Sequence, residues 1–189
     1  MDNDKEEIFF SSMYKALVKE DESLKKIFEE NNPRYAHQHH GICCLYETTI
    51  VYLIFRQLLI ENFPYTVFWE QPYPNNHNLK ADMGILNDDQ SINSLIEFKI
   101  WTSENGDEVR GDVLKYLQSN FNGGRYLAIV EYGGPDIDKS CKYLMNMNPE
   151  LEFINKKSFP TCYFDSMKTH MHIYNPINLY FFKINCKFQ

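Results

Sequence analysis

This sequence has no disulfide framework, no long apolar run and no surplus of positive charge. Its five cysteines, Cys43, Cys44, Cys141, Cys162 and Cys186, are odd in number and form no C-x-x-C pair. Vicinal cysteines such as Cys43 and Cys44 rarely bridge each other, so reduced thiols in a cytosolic protein are expected. The most apolar stretch, TTIVYLIF at 48–55, meets Arg56 well short of the roughly 20 residues that a membrane span needs, which leaves a buried helix and no membrane partner. The N-terminal MDNDKEEIFF is acidic where a secretory leader would be basic, so no signal peptide is expected. Nineteen Lys and Arg face 26 Asp and Glu, a net charge of −7. That balance argues against loose, sequence-independent binding to a phosphate backbone. There is no internal repeat and no low-complexity tract.

What is present points to a compact globule. Of the 189 residues 43% are hydrophobic and 15% aromatic, which suits a single domain over 1–189 with a core that needs no metal or disulfide staple. From Lys5 to Glu30 apolar residues recur at helical spacing, and Asp21 reads as an N-cap restarting a second short helix. Residues 1–30 are thus an amphipathic helical arm. After the turn-rich NNPRYAHQHHG, the segment ICCLYETTIVYLIFRQLLIENF reads as one long buried helix ending before Pro64. YTVFWE at 65–70 is a strand and QPYPNNHN a loop. KADMGIL at 80–86 and NSLIEFKIW at 93–101 flank the turn NDDQ and pair as an antiparallel hairpin. DVLKYLQSNF at 112–121 is a helix opened by an Asp cap, and GRYLAIVEYGGP is a buried strand closed by a turn. Residues 136–189 form a C-terminal extension, with a short helix near 139–146 and strand-like pieces at TCYF, MHIY and NLYFFKIN.

Side chains alternate along a strand, so Glu97 and Lys99 share one face of the hairpin while Ile96, Phe98 and Ile100 pack on the other. Asp82, on the partner strand, joins them if the register sets it opposite or diagonal to Glu97. Two carboxylates within reach of one hard cation point to magnesium or manganese, since no Cys/His spacing suits zinc. A metal that polarises a phosphoryl oxygen and activates water, beside a lysine, is what phosphodiester hydrolysis requires. Lys99 would supply charge to the transition state or, deprotonated, act as base.

These residues resemble the PD-(D/E)xK, or restriction-endonuclease-like, nuclease superfamily. The likeness rests on AD at 81–82, about fourteen intervening residues, IEFK at 96–99 and the order helix, three strands, helix, strand over residues 44–132. It implies an α/β fold with an αβββαβ core, a mixed sheet flanked by helices, the arm before it and β additions after it. It also implies that Asp82 and Glu97 hold magnesium, with manganese able to substitute, that Lys99 activates water, and that an acid of the preceding helix completes the site. Glu47 fits that last role, with Glu61 or Glu70 as stand-ins. Ala81 stands where the motif has proline.

Each sharp reading has a plainer one beside it. Asp82, Glu97 and Lys99 suit a surface ion-pair ladder, and Glu47 the favourable start of any helix. His37, His39 and His40 read as a solvated loop, Cys43 and Cys44 as small buried side chains, and Tyr180, Phe181, Phe182 and Phe188 as strand core. Arg110, Lys115 and Arg125 would track phosphates or stand as solvated helix ends. The expected function is a magnesium-dependent endonuclease cutting DNA, less readily RNA, in restriction or host defence, with a homodimer formed through the arm. The alternative is an inactive nuclease-fold binding protein, an immunity or antitoxin partner whose acidic surface meets a basic toxin. A structural subunit of a larger assembly is a third reading.

Overall fold

The alternation of apolar side chains along the central strands decides the architecture. In the computed structural model, which describes residues 1–31, 41–42, 45–74, 76–101, 106–119, 121–132, 136–164 and 172–185, GRYLAIVEY forms β4 (Gly124–Tyr132). Its seven central residues are all buried, the mark of a strand covered on both faces. Around it run α1 (Asn3–Asn31), α2 (Glu47–Ile60), β1 (Thr66–Tyr73), β2 (Asn76–Leu86), β3 (Ile92–Trp101), α3 (Gly106–Gln118), α4 (Ile137–Met147), β5 (Leu151–Phe164) and β6 (His172–Ile184). Among the described residues the strands form one six-stranded sheet in the order β1-β2-β3-β4-β6-β5. The β3–β4 pair is parallel and the other pairs antiparallel, so the protein is an α/β molecule with a mixed sheet. From Glu47 to Tyr132 the elements follow the order helix, three strands, helix, strand.

Each sheet face carries its own core. Phe9, Phe10, Met13 and Leu17 of α1 and Ile50, Ile54 and Leu58 of α2 pack on Ile96, Phe98, Tyr126, Ala128 and Phe181. On the opposite face Val109, Val113 and Tyr116 of α3 and Cys141 and Leu144 of α4 pack on Leu95, Leu127, Ile129 and Tyr180. Tyr180, Phe181 and Phe182 are fully buried, as strand-core residues should be. At roughly 1.5–3 kcal/mol for each large apolar side chain buried, these two layers dominate folding.

Several local expectations give way to tertiary contacts. α1 is one continuous helix of 29 residues, and Asp21 is no cap. Its carboxylate is 1% exposed; it pairs with Lys25 at 2.6 Å and accepts from the Ile42 N–H at 3.1 Å and from the Thr161 hydroxyl. This clamp explains why α2 starts at Glu47 and not Ile42: Gly41 stands at φ +85° against the Asp21 carboxylate and turns the chain before the helix begins. Phe9, Phe10, Met13 and Leu17 of the arm's apolar stripe are buried against the sheet, whereas Ile8 and Ile27 are exposed.

The hairpin of β1 and β2 is longer than expected, with Tyr73 paired to Asn76 and Pro72 to Lys80. Proline is tolerated because β1 is an edge strand. α3 begins at Gly106, which puts Asp112 in mid-helix and removes it from the cap position. LEFINKK joins TCYF in β5, and HIY joins NLYFFKI in β6. The expectations for His37, His39, His40, Cys43, Cys44, Cys186 and Phe188 lie outside the described residues. No described helix is long and apolar enough to cross a membrane.

Candidate functional site

β2 and β3 pair from Leu86 with Ile92 to Met83 with Ile96 and then part. Beyond that point β3 keeps β4 on one side and loses its strand neighbour on the other. The N–H groups of Phe98 and Ile100 that face the gap would be left without backbone partners, at a cost of about 1–3 kcal/mol each if buried. Carboxylates take them: Asp82 Oδ2 accepts from Phe98 N–H at 2.7 Å, and Glu47 Oε2 accepts from Ile100 N–H at 3.0 Å. Asp82 stands one position past the last ladder pair, opposite Glu97, and Glu47 reaches the same notch from the first turn of α2.

Glu97 is buried, 4% exposed, on the face covered by α3. It accepts a hydrogen bond from the Tyr73 hydroxyl at 2.9 Å and pairs with the Lys115 ammonium, which also donates to the Lys80 carbonyl at 3.2 Å. Burial, reinforced by the Asp82 charge and opposed by Lys115, pushes the Glu97 carboxyl up to about 8. Burial likewise raises Glu47 and Asp112, and the Asp82 charge adds to both. The Tyr73 hydroxyl, raised by its own burial and by Glu97, stays a donor.

Lys99 shares the Glu97 face but has other partners. Its ammonium lies 3.5 Å from Glu47, 3.6 Å from Asp112 and 4.0 Å from Glu108. Partial burial opposes its charge, and the three carboxylates outweigh that and raise its pKa. The surroundings therefore favour charged Lys99 over a deprotonated base.

Glu47, Asp82, Glu97 and Lys99 are thus gathered around one notch, with Asp112 and Lys115 added by α3. The stand-ins are elsewhere: Glu61 binds Lys15 of α1 at 2.8 Å, and exposed Glu70 pairs with Lys80 at 2.6 Å. Arg110 is held by both oxygens of Glu150, at 2.6 and 3.2 Å, and Arg125 is buried against the Ser119 and Phe121 carbonyls. Of the three cations considered for phosphate tracking, Lys115 alone is in the site. Asp112 was missed because an Asp ahead of a helical stripe looks like a cap. Its position one turn before Lys115 and Tyr116 was the available signal.

Among the described residues no three His, Cys, Asp or Glu side chains converge as a ready-made metal cage. The donor chemistry nevertheless suits a hard cation. Five carboxyl groups, Glu47, Asp82, Glu97, Glu108 and Asp112, stand about two ammoniums, Lys99 and Lys115, a formal excess of negative charge that a divalent ion would reduce. Comparisons with protein-family models, with curated proteins and with solved structures find no match to this chain.

Proposed function

We propose that the chain is a divalent-metal-dependent nuclease of the restriction-endonuclease-like kind, hydrolysing phosphodiester bonds of DNA and less readily of RNA. The observation that carries this reading is the parting of β2 from β3 at Asp82 and Glu97, which leaves opposed carboxylates and a charged lysine at a notch in the sheet. Asp82 and Glu97 would hold magnesium or manganese, with Glu47 at the third side. When bound, the ion would polarise the phosphoryl oxygen and lower the pKa of an attacking water.

The chain's own residues have separate parts. Tyr73 fixes the Glu97 carboxylate by its hydrogen bond, and the Phe98 and Ile100 amides fix those of Asp82 and Glu47, which limits reorganisation on binding. Lys99, held protonated by Glu47, Asp112 and Glu108, presents positive charge to the phosphoryl group as negative charge develops. Partial burial concentrates these fields.

A second reading, an inactive binding protein of the same fold, draws support from the net charge of −7 and from the ion pairs that already engage both site lysines. Incubation with single- and double-stranded DNA and RNA, in magnesium, manganese or EDTA, separates the two. The nuclease reading expects metal-dependent cutting that is lost in Asp82→Ala and in Lys99→Ala. Failure of the wild type to cut any of the substrates would favour the binding protein. Lys99→Met should abolish turnover and leave manganese binding largely intact, and equal loss of both would overturn the separate parts given to the acids and the lysine.

A further inference from the structure

The lysine that the motif assigns to chemistry is not the one that neutralises the buried glutamate. Lys115 does so, from α3. It lies in ion-pair contact with Glu97, donates to the Lys80 carbonyl at 3.2 Å and rests over the Tyr73 ring with its nitrogen 5.4 Å from the centroid. The same side chain lines a cavity of about 360 Å³, together with Tyr73, Asn76, Leu79 and Gln118. One flexible four-carbon stem therefore borders both the carboxylates and an open space beside them.

Resting on the metal-dependent reading above, we infer that Lys115 is a tethered counter-cation that competes with the divalent ion for Glu97. In the metal-free protein its ammonium offsets the repulsion between Asp82 and Glu97. When a divalent ion takes the carboxylates, like charge expels the ammonium into the adjoining cavity, which Asn76 and Gln118 line with polar groups. There it meets a phosphate of the substrate strand flanking the scissile bond. Metal binding and substrate binding are thereby coupled: the ion releases the cation that the strand requires, so empty protein binds nucleic acid weakly despite containing the needed charge. This offers a way for a chain of net charge −7 to acquire local attraction for phosphate only once it is loaded.

Isothermal titration with manganese chloride alone tests this on wild type, Lys115→Met, Lys115→Gln, Arg110→Ala and Asp82→Asn, with thermal melts to establish that each is folded. Removal of the competitor should tighten manganese binding about tenfold in both Lys115 variants, the change expected when an interaction of ordinary ion-pair strength is deleted. Arg110→Ala, whose partner Glu150 is not among the site carboxylates, should bind as the wild type does, and Asp82→Asn should bind weakly. In a companion titration with a labelled single-stranded oligonucleotide in calcium, the Lys115 variants should lose the rise in affinity that calcium gives the wild type. Lys115 variants that bind manganese no tighter than wild type, while Asp82→Asn loses it, would overturn the inference and leave the metal site standing. Absence of manganese binding in all five proteins would overturn the metal site and the inference with it.

Discussion

Two glutamates are buried on the same sheet face, on neighbouring parallel strands, and their surroundings could hardly differ more. Glu131 of β4, 3% exposed, accepts from Ser140 Oγ at 2.6 Å, Asn178 Nδ2 at 2.7 Å and the Tyr180 hydroxyl at 2.7 Å. Its described partners are neutral donors, which bind the charge without competing for it. Glu97 of β3, 4% exposed, has one neutral donor and one lysine, with the charges of Asp82 and Asp112 close by. A buried carboxylate surrounded by donors is a rivet. One surrounded by other carboxylates opposes folding while it is charged.

Breaking the rivet should have the largest effect on stability. Glu131→Ala leaves three buried donors without their acceptor and should destabilise the protein by about 3 kcal/mol or more in urea unfolding. A loss under 1 kcal/mol would show that the network is dispensable. Asp21 is intermediate, a buried acid with two neutral donors and one lysine. Asp21→Ala should cost about 2 kcal/mol and expose residues 41 and 42 to amide exchange.

For Glu97 the sign reverses. The fold holds its proton more tightly than the unfolded chain does, so in metal-free protein its favourable contribution is complete below the ordinary glutamate value of 4.5 and is lost as pH rises toward about 8. Glu97→Gln should therefore melt about 3 °C above wild type at pH 8 in EDTA, the scale of roughly 1 kcal/mol, and lose that advantage near pH 4. An equal difference at both pH values would remove the distinction from Glu131. The smallest effect belongs to Arg110→Ala, which breaks a partly exposed pair with Glu150 and should cost about 0.5 kcal/mol without altering cleavage or its salt dependence.

The β2–β3 hairpin was legible because alternation, a turn signal and an apolar strand around Glu97 agree, and local agreement of this kind survives folding. Glu47 was legible as an acid beginning the right helix. Asp112 and Lys115 were harder. Their roles come from how α3 crosses β3, and no period in DVLKYLQSNF encodes a crossing. Asp21 misled for a related reason: its partners Ile42 and Thr161 are distant in the chain, and a helix that is sealed at its side by tertiary contacts need not stop at a residue with cap chemistry. Of β5 only TCYF, after Pro160, reads as strand in the sequence, yet Pro160 pairs with Pro176 past the reach of β4, where a missing N–H leaves no central ladder open.

The carboxylates that close the notch in β3 also guard it. An open strand edge invites an extended segment of another chain to pair with it, and here the two vulnerable amides are already taken by Asp82 and Glu47. Any variant of this chain needs an oxygen acceptor at both positions to keep that edge from pairing with another chain. Asparagine or glutamine would serve as well as the acids, whereas alanine would not. Lys99 has no acceptor to offer and gives no such protection, so its replacement leaves that edge closed.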